Sequence, residues 1–237
     1  MSTQNTSAFD KNYFWIRRLH SLTGVLPIGA FVLVHLFTNA YSWNPHAFNE
    51  HVKSLNQTPL VSFIEYFGVI APIAFHGILG LWMAVRMDVN QPQYSNFRNW
   101  MYFFQRLSGV IVLGFIVFHL IQFRFMSEGA FKEVHLPAPN VHITVPVPFD
   151  GAYKAYNPYA VIKNGLQSPL VQGIYLVGLL ATAFHFANGL WSFCVTWGLT
   201  IGRKSQLITS YVTMAIFLGV AAFGFYAFFG FLMAKDL

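Results

Sequence analysis

Cysteine is nearly absent: the 237 residues include one, Cys194. That excludes a disulfide framework, an iron–sulfur cluster held by four thiolates and a covalent C-x-x-C-H haem attachment on this chain alone. Charge is scarce too. Lys and Arg number 14 and Asp and Glu 8, which makes 9% of the chain, against about 25% in a soluble domain. Hydrophobic residues reach 55%, aromatics 18% and mean hydropathy +0.49. One core of this size could not hide so many apolar side chains, so much of the surface faces lipid. A net charge of +6 would suggest nucleic acid on a soluble protein. Here the basic residues sit between long apolar runs, where they set membrane topology, and nucleic acid is discarded as a partner. The start, Met1 to Asn12, lacks the apolar segment of a signal peptide, so no cleavage is expected.

Five runs approach the roughly 20 apolar residues that cross a bilayer. They lie near 22–41, 60–85, 107–123, 170–201 and 207–233. The chain therefore reads as a single all-α transmembrane domain, 1–237, built as a five-helix bundle. Pro27 and Pro72 fall inside these runs and do not veto them, because neighbouring helices can satisfy the freed backbone groups. Lys11, Arg17, Arg18, Arg86, Arg98, Arg106, Arg203 and Lys204 all flank one end of the spans. The positive-inside rule puts that end, with the N-terminus, in the cytoplasm and the C-terminus outside. The longest connection, 127–168, carries five prolines and the alternating stretch Val141-His142-Ile143-Thr144-Val145. It reads as an external flap with room for a hairpin.

Of nine histidines, His35, His76, His119 and His185 fall in four different spans. An ionisable side chain in hydrocarbon is costly and is by default a ligand or a proton carrier. A neutral histidine bonded to a neighbouring helix is the plain alternative at any single position. His35 is seven residues from Ser42 and His119 five from Arg124, so both lie in the outer half. His76, ten residues from Arg86, and His185, sixteen in from Pro169, lie deeper. Two pairs follow, His35 with His119 and His76 with His185, separated in depth by about 10 Å. Two stacked bis-histidine sites would hold two haems. With imidazole on both axial positions, a b-type haem iron cannot bind oxygen and suits electron transfer. Zinc would ask for Cys or carboxylate at the same depth, and neither is there. A proton relay is the remaining use of such residues.

The inner pair shares a motif, F-H-x-x-x-G-L-W, at Phe75 to Trp82 and Phe184 to Trp191. Gly80 and Gly189 sit one turn beyond each histidine on the same face, where a missing side chain would admit a flat macrocycle; plain helix packing on glycine is the other reading. A looser echo, Leu22-Thr23-Gly24-Val25 and Leu107-Ser108-Gly109-Val110, precedes His35 and His119 and is assigned to the outer pair. Duplication of a helix pair would explain both.

The segments Arg17-Arg18-Leu19-His20-Ser21-Leu22-Thr23-Gly24-Val25, Phe97-Arg98-Asn99-Trp100-Met101, Gln105-Arg106-Leu107-Ser108-Gly109 and Phe184 to Gly198 closely resemble the di-haem cytochrome b membrane subunit of succinate:menaquinone oxidoreductases and related quinol:fumarate reductases. The likeness covers nearly the whole chain, although the 127–168 connection is longer than the family's compact members carry. It implies two b haems on the four histidines, paired as above, and electron transfer to menaquinone in a bacterial cytoplasmic membrane. It also implies flavoprotein and iron–sulfur partner subunits docked on the cytoplasmic face. A menaquinone site is expected near the outer haem, where Glu65, an unpaired acid one turn into the second span, would handle the quinone proton. His20 and Arg17, at the cytoplasmic end, could receive haem propionates, line an inner quinone site or face the iron–sulfur subunit. A haem-free transporter would not need two pairs at matched depth. The cytochrome b of quinol:cytochrome c reductases takes two haem ligands from each of two helices, whereas four helices supply one each here. A hydrogenase or formate dehydrogenase cytochrome b fits the F-H-x-x-x-G-L-W repeat less well. Succinate oxidation and fumarate reduction use the same wiring, and the number of complexes that associate is open at this level.

Overall fold

The computed structural model describes residues 8–86, 90, 92–125, 131–135, 142–146 and 157–234. Five of its helices are long and apolar enough to cross a membrane: Asn12–Trp43, Val61–Arg86, Phe97–Arg124, Pro169–Thr196 and Arg203–Met233, hereafter spans one to five. Their ends follow local chemistry more than hydropathy. Span three starts well before the apolar run at 107, because the Asn96 side chain accepts the Asn99 N–H at 3.0 Å and caps the helix. Arg98, Asn99, Gln105 and Arg106 then ride on its first turns. Span four stops at Thr196, short of the expected 201. Gly198 takes φ +72°, its N–H reaches the Val195 carbonyl at 3.1 Å, and the Leu199 N–H reaches the Cys194 carbonyl at 2.8 Å. This left-handed glycine lock closes a helix C-terminus regardless of the apolar residues that follow.

Three spans contain a wider, π-helical stretch: Gly24–Gly29, Ile64–Ile70 and Ile121–Phe125. Pro27 lies inside the first, and Pro72 follows just after the second. A proline removes one N–H and pushes away the carbonyl four residues back, which loosens the helix at that level.

Spans one to four each touch the next, and span one closes the ring against span four; span five packs outside, on span four and the far half of span one. The bundle end carrying Asn12 is the inner end, after the orientation expected above. At the outer end Ser42 Oγ donates to the Ala227 carbonyl at 2.7 Å and Trp43 Nε1 to the Tyr226 carbonyl at 3.0 Å, tying span one to span five.

Two short helices, Pro45–Asn56 and Pro158–Gly165, cover that outer end. Each begins with an Asn–Pro step: Asn44 and Asn157 accept the N–H of Ala47 and Ala160, both at 3.0 Å. Asn49 then joins the two, donating to Asn157 Oδ1 and accepting from the Tyr159 N–H, each at 3.0 Å. Beneath them Phe48, Val52, Tyr159, Leu166, Tyr175, Phe228 and Phe231 form the main buried cluster. β1 (Phe131–His135) and β2 (His142–Pro146) make an antiparallel ribbon with Phe131 opposite Pro146 and His135 opposite His142. The alternating stretch thus forms the second strand of a hairpin; Val141 lies outside the described residues.

Candidate cofactor site

Span two and span four each bring one histidine to the inner half of the bundle. The His76 and His185 ring centres stand 6.2 Å apart with their planes at 88°. His76 Nδ1 lies 2.9 Å from the His20 carbonyl and 3.4 Å from Thr23 Oγ1. His185 Nδ1 lies 3.1 Å from the Gln105 carbonyl and 3.3 Å from Ser108 Oγ. A carbonyl can only accept, and Gln105 Nε2, which also stands 3.2 Å from His185 Nδ1, donates to the His185 carbonyl, so in both rings Nδ1 carries the proton and Nε2 keeps its lone pair. That is the tautomer a metal-binding imidazole needs, with the far N–H held by a second partner. Glycine lets each ring lie against the opposing helix: a Cβ on Gly24 would run into His76 Cε1, and one on Gly109 would come within 2.9 Å of His185 Cε1.

The two cradles are the same construction in sequence and in space. His20-Ser21-Leu22-Thr23-Gly24-Val25 aligns with Gln105-Arg106-Leu107-Ser108-Gly109-Val110. In each, the first residue offers its carbonyl, the hydroxyl three residues on touches the same Nδ1, and the glycine makes room. The Thr-Gly and Ser-Gly echo, assigned from sequence to the outer pair, thus belongs to the inner pair. The reason is depth: Gly24 precedes His35 by eleven residues, about three helical turns. Gly80 and Gly189 are equivalent as well, and what lies over them is protein. A Cβ on Gly80 would come within 2.9 Å of His20 Cε1, and one on Gly189 within 3.5 Å of Gln105 Nε2. The contact at Gly80 asks for a residue without a side chain, whereas a Cβ at Gly189 would make only ordinary van der Waals contact. The likeness breaks at one point. Gln105 is held, accepting from Asn188 Nδ2 at 2.7 Å and donating to the His185 carbonyl at 3.2 Å. His20 instead stacks on His76, ring centres 3.9 Å apart, and its buried Nδ1 has no hydrogen-bond partner.

In the outer half, His35 of span one and His119 of span three stand 5.8 Å apart, ring centre to ring centre, with planes at 86°. His119 Nδ1 is 2.9 Å from Tyr175 Oη, which donates its proton to Gln122 Oε1 at 3.1 Å. Gln122 Nε2 donates in turn to the Gly165 carbonyl at 2.7 Å, which fixes the orientation of the amide. Since the phenolic proton goes to Gln122, Tyr175 accepts from His119, and Nδ1 again carries the hydrogen.

Two imidazoles on opposite sides of one metal, with bonds of about 2 Å, hold their ring centres about 6 Å apart. Both pairs match that spacing. Among the described residues no group of three or more His, Cys, Asp or Glu is assembled. A metal between either pair would therefore need its remaining donors from a ligand of its own, as a tetrapyrrole supplies them.

Residues 90–227 match the family described as the succinate dehydrogenase/fumarate reductase transmembrane subunit. The chain is also 37% identical over 220 residues to the succinate dehydrogenase cytochrome b558 subunit of Bacillus subtilis (strain 168), covering 92% of this chain and 96% of that protein. The chain belongs to the succinate dehydrogenase/fumarate reductase transmembrane-subunit family. As a member it is the non-catalytic membrane part of an enzyme complex.

In this transmembrane subunit Glu65 is not the unpaired acid the sequence suggests. Its Oε1 lies 2.5 Å from Arg124 Nε and its Oε2 3.4 Å from Arg124 Nη2, which also donates to Tyr66 Oη at 3.1 Å. The two partners sit on the π-helical stretches of spans two and three, 59 residues apart, a separation that hides the pair from a linear reading. Arg17 lies over the Tyr13 ring at 5.7 Å. Its neighbour Arg18 makes the cross-bundle contact: it lies 5.0 Å from the Trp197 ring centre and donates to the Thr196 carbonyl at 3.3 Å, at the end of span four. Thr23, Ser108, Gln105, Tyr175 and Gln122 are the site residues that sequence reasoning missed as such. For Thr23 and Ser108 a signal existed, the repeated Leu-Thr/Ser-Gly-Val; for Gln105, Tyr175 and Gln122 that repeat gives none.

Proposed function

We propose that this chain is the membrane anchor of a succinate dehydrogenase complex, holding one b haem between His76 and His185, another between His35 and His119, and passing electrons from an iron–sulfur partner to menaquinone. The observation that carries this reading is the pair of 6 Å histidine couples, in which His76, His185 and His119 have their Nδ1 protons committed elsewhere. When bound between the histidines of each pair, a haem would supply a one-electron couple suited to electron transfer. The chain's own residues do the rest. The carbonyls of His20 and Gln105 and the hydroxyl of Tyr175 fix the tautomers of His76, His185 and His119 and leave their Nε2 lone pairs free for a metal. The apolar helices around them exclude water.

The flavoprotein and iron–sulfur subunits dock at the inner end, where Arg17, Arg86, Arg98 and Arg203 gather, and that end faces the cytoplasm of a bacterial cell with the C-terminus outside. The name of the Bacillus subtilis relative supports succinate oxidation over fumarate reduction as the working direction. Of the residues expected near a quinone, His20 has a polar atom to offer, its Nδ1, whereas Glu65 is committed to Arg124. The decisive measurement is the dithionite-reduced minus oxidised spectrum of the purified chain with a pyridine haemochrome count. Two b haems per polypeptide are expected, and folded protein without haem would overturn the proposal.

A further inference from the structure

The two histidine pairs differ in what holds them. Both inner rings donate Nδ1–H to backbone carbonyls, which no side-chain substitution removes. His119 donates to a side chain, Tyr175, itself only 7% exposed. The phenol ring is fixed independently of its hydroxyl: it stacks on Phe228 with centres 6.2 Å apart and meets Phe115 edge-on at 5.2 Å. Gly178 provides the space for Phe115, since a Cβ there would run into that ring. The hydroxyl therefore serves two hydrogen bonds, one from His119 and one to Gln122, and the second continues to Gly165 at the end of the Pro158–Gly165 helix.

We infer that Tyr175 is a positioning residue that sets how strongly His119 donates to the outer metal, and thereby the redox potential of the outer centre alone. The inference rests on the haem reading above. A hydrogen bond accepted from Nδ1–H pushes electron density onto the imidazole and makes it a stronger donor, which favours the oxidised metal and lowers its potential. The bond from Tyr175 to Gln122 draws the phenolic proton outward and enriches the oxygen, a partial step toward the anion, so the tyrosine acts as a neutral, graded acceptor. Removing it should raise the potential.

The test is a redox titration of the b-haem absorbance in the assembled complex, in membranes, for the wild type and Tyr175→Phe. The ring packing survives this change. One midpoint should rise, the one whose component disappears in His119→Leu, and the low-spin electron paramagnetic resonance signal of that component should shift with it, while the other stays in place. Two bound haems with neither midpoint moved, or both moved together, would overturn the inference while leaving the haem reading intact. Should Tyr175→Phe lose the outer haem, Gln122→Met decides: a smaller upward shift of the same component supports the inference, and no shift overturns it. A wild-type complex without haem would overturn the functional reading first and this inference with it.

Discussion

A single methyl group at Gly109 probes the inner cradle. Its Cβ would come within 2.9 Å of His185 Cε1, where the ring must move or turn. Gly109→Ala is therefore expected to bring the haem count from two per polypeptide toward one. Gly114→Ala on the same helix, with nothing within 4 Å of the added carbon, should keep both. A pyridine haemochrome assay on the two variants checks this. At this scale the four histidines were legible because an imidazole in hydrocarbon is costly enough to need a reason. Tyr175 was not, because a tyrosine among 26 Phe and 11 Tyr carries no mark of its own. What distinguishes it is a hydroxyl placed against a ring 56 residues away.

Between elements, the tie that matters most at the outer end is Glu65 with Arg124, whose side chains are 19% and 4% exposed. Removing one member of a buried pair leaves the other charge uncompensated, at about 3 kcal/mol or more. Glu65→Gln and Arg124→Gln are each expected to destabilise the bundle by about that much, and the double variant by clearly less than their sum. Unfolding in detergent, followed by circular dichroism across the four proteins, reads the coupling directly; additive losses would show that the pair does not hold spans two and three. Helix existence was legible from apolar length alone, but helix ends were not. The Asn96 cap extended span three backwards through arginines that an apolar count rejects, and the Gly198 turn cut span four off before residues an apolar count accepts.

For the molecule as a whole, span one carries His20 and His35, spans two, three and four carry one histidine each and the fifth carries none, and the fifth is the one that packs outside the ring. The cradle repeat relates spans one and two to spans three and four, so the inner site sits between two copies of one helix-pair design. The orientation proposed above rests on the basic inner end of the bundle. An alkaline phosphatase fused to the C-terminus should be active in intact cells, as that enzyme works only outside the cytoplasm; an inactive fusion alongside a fluorescent green reporter fusion would reverse the assignment.

The sequence by itself determined the membrane class, the number of spans and which histidines share a depth. Those properties depend on composition, on length and on the fixed rise of a helix, all of which are linear along the chain. It also displayed the cradle motif without saying which pair the motif serves. Only the tertiary structure decided that Thr23 and Ser108 face His76 and His185, that Tyr175 holds His119, and that Glu65 meets Arg124. Each of these depends on how one helix is rotated against another. That rotation is set by packing around glycines and by the π-helical stretches, which a one-dimensional pattern does not contain.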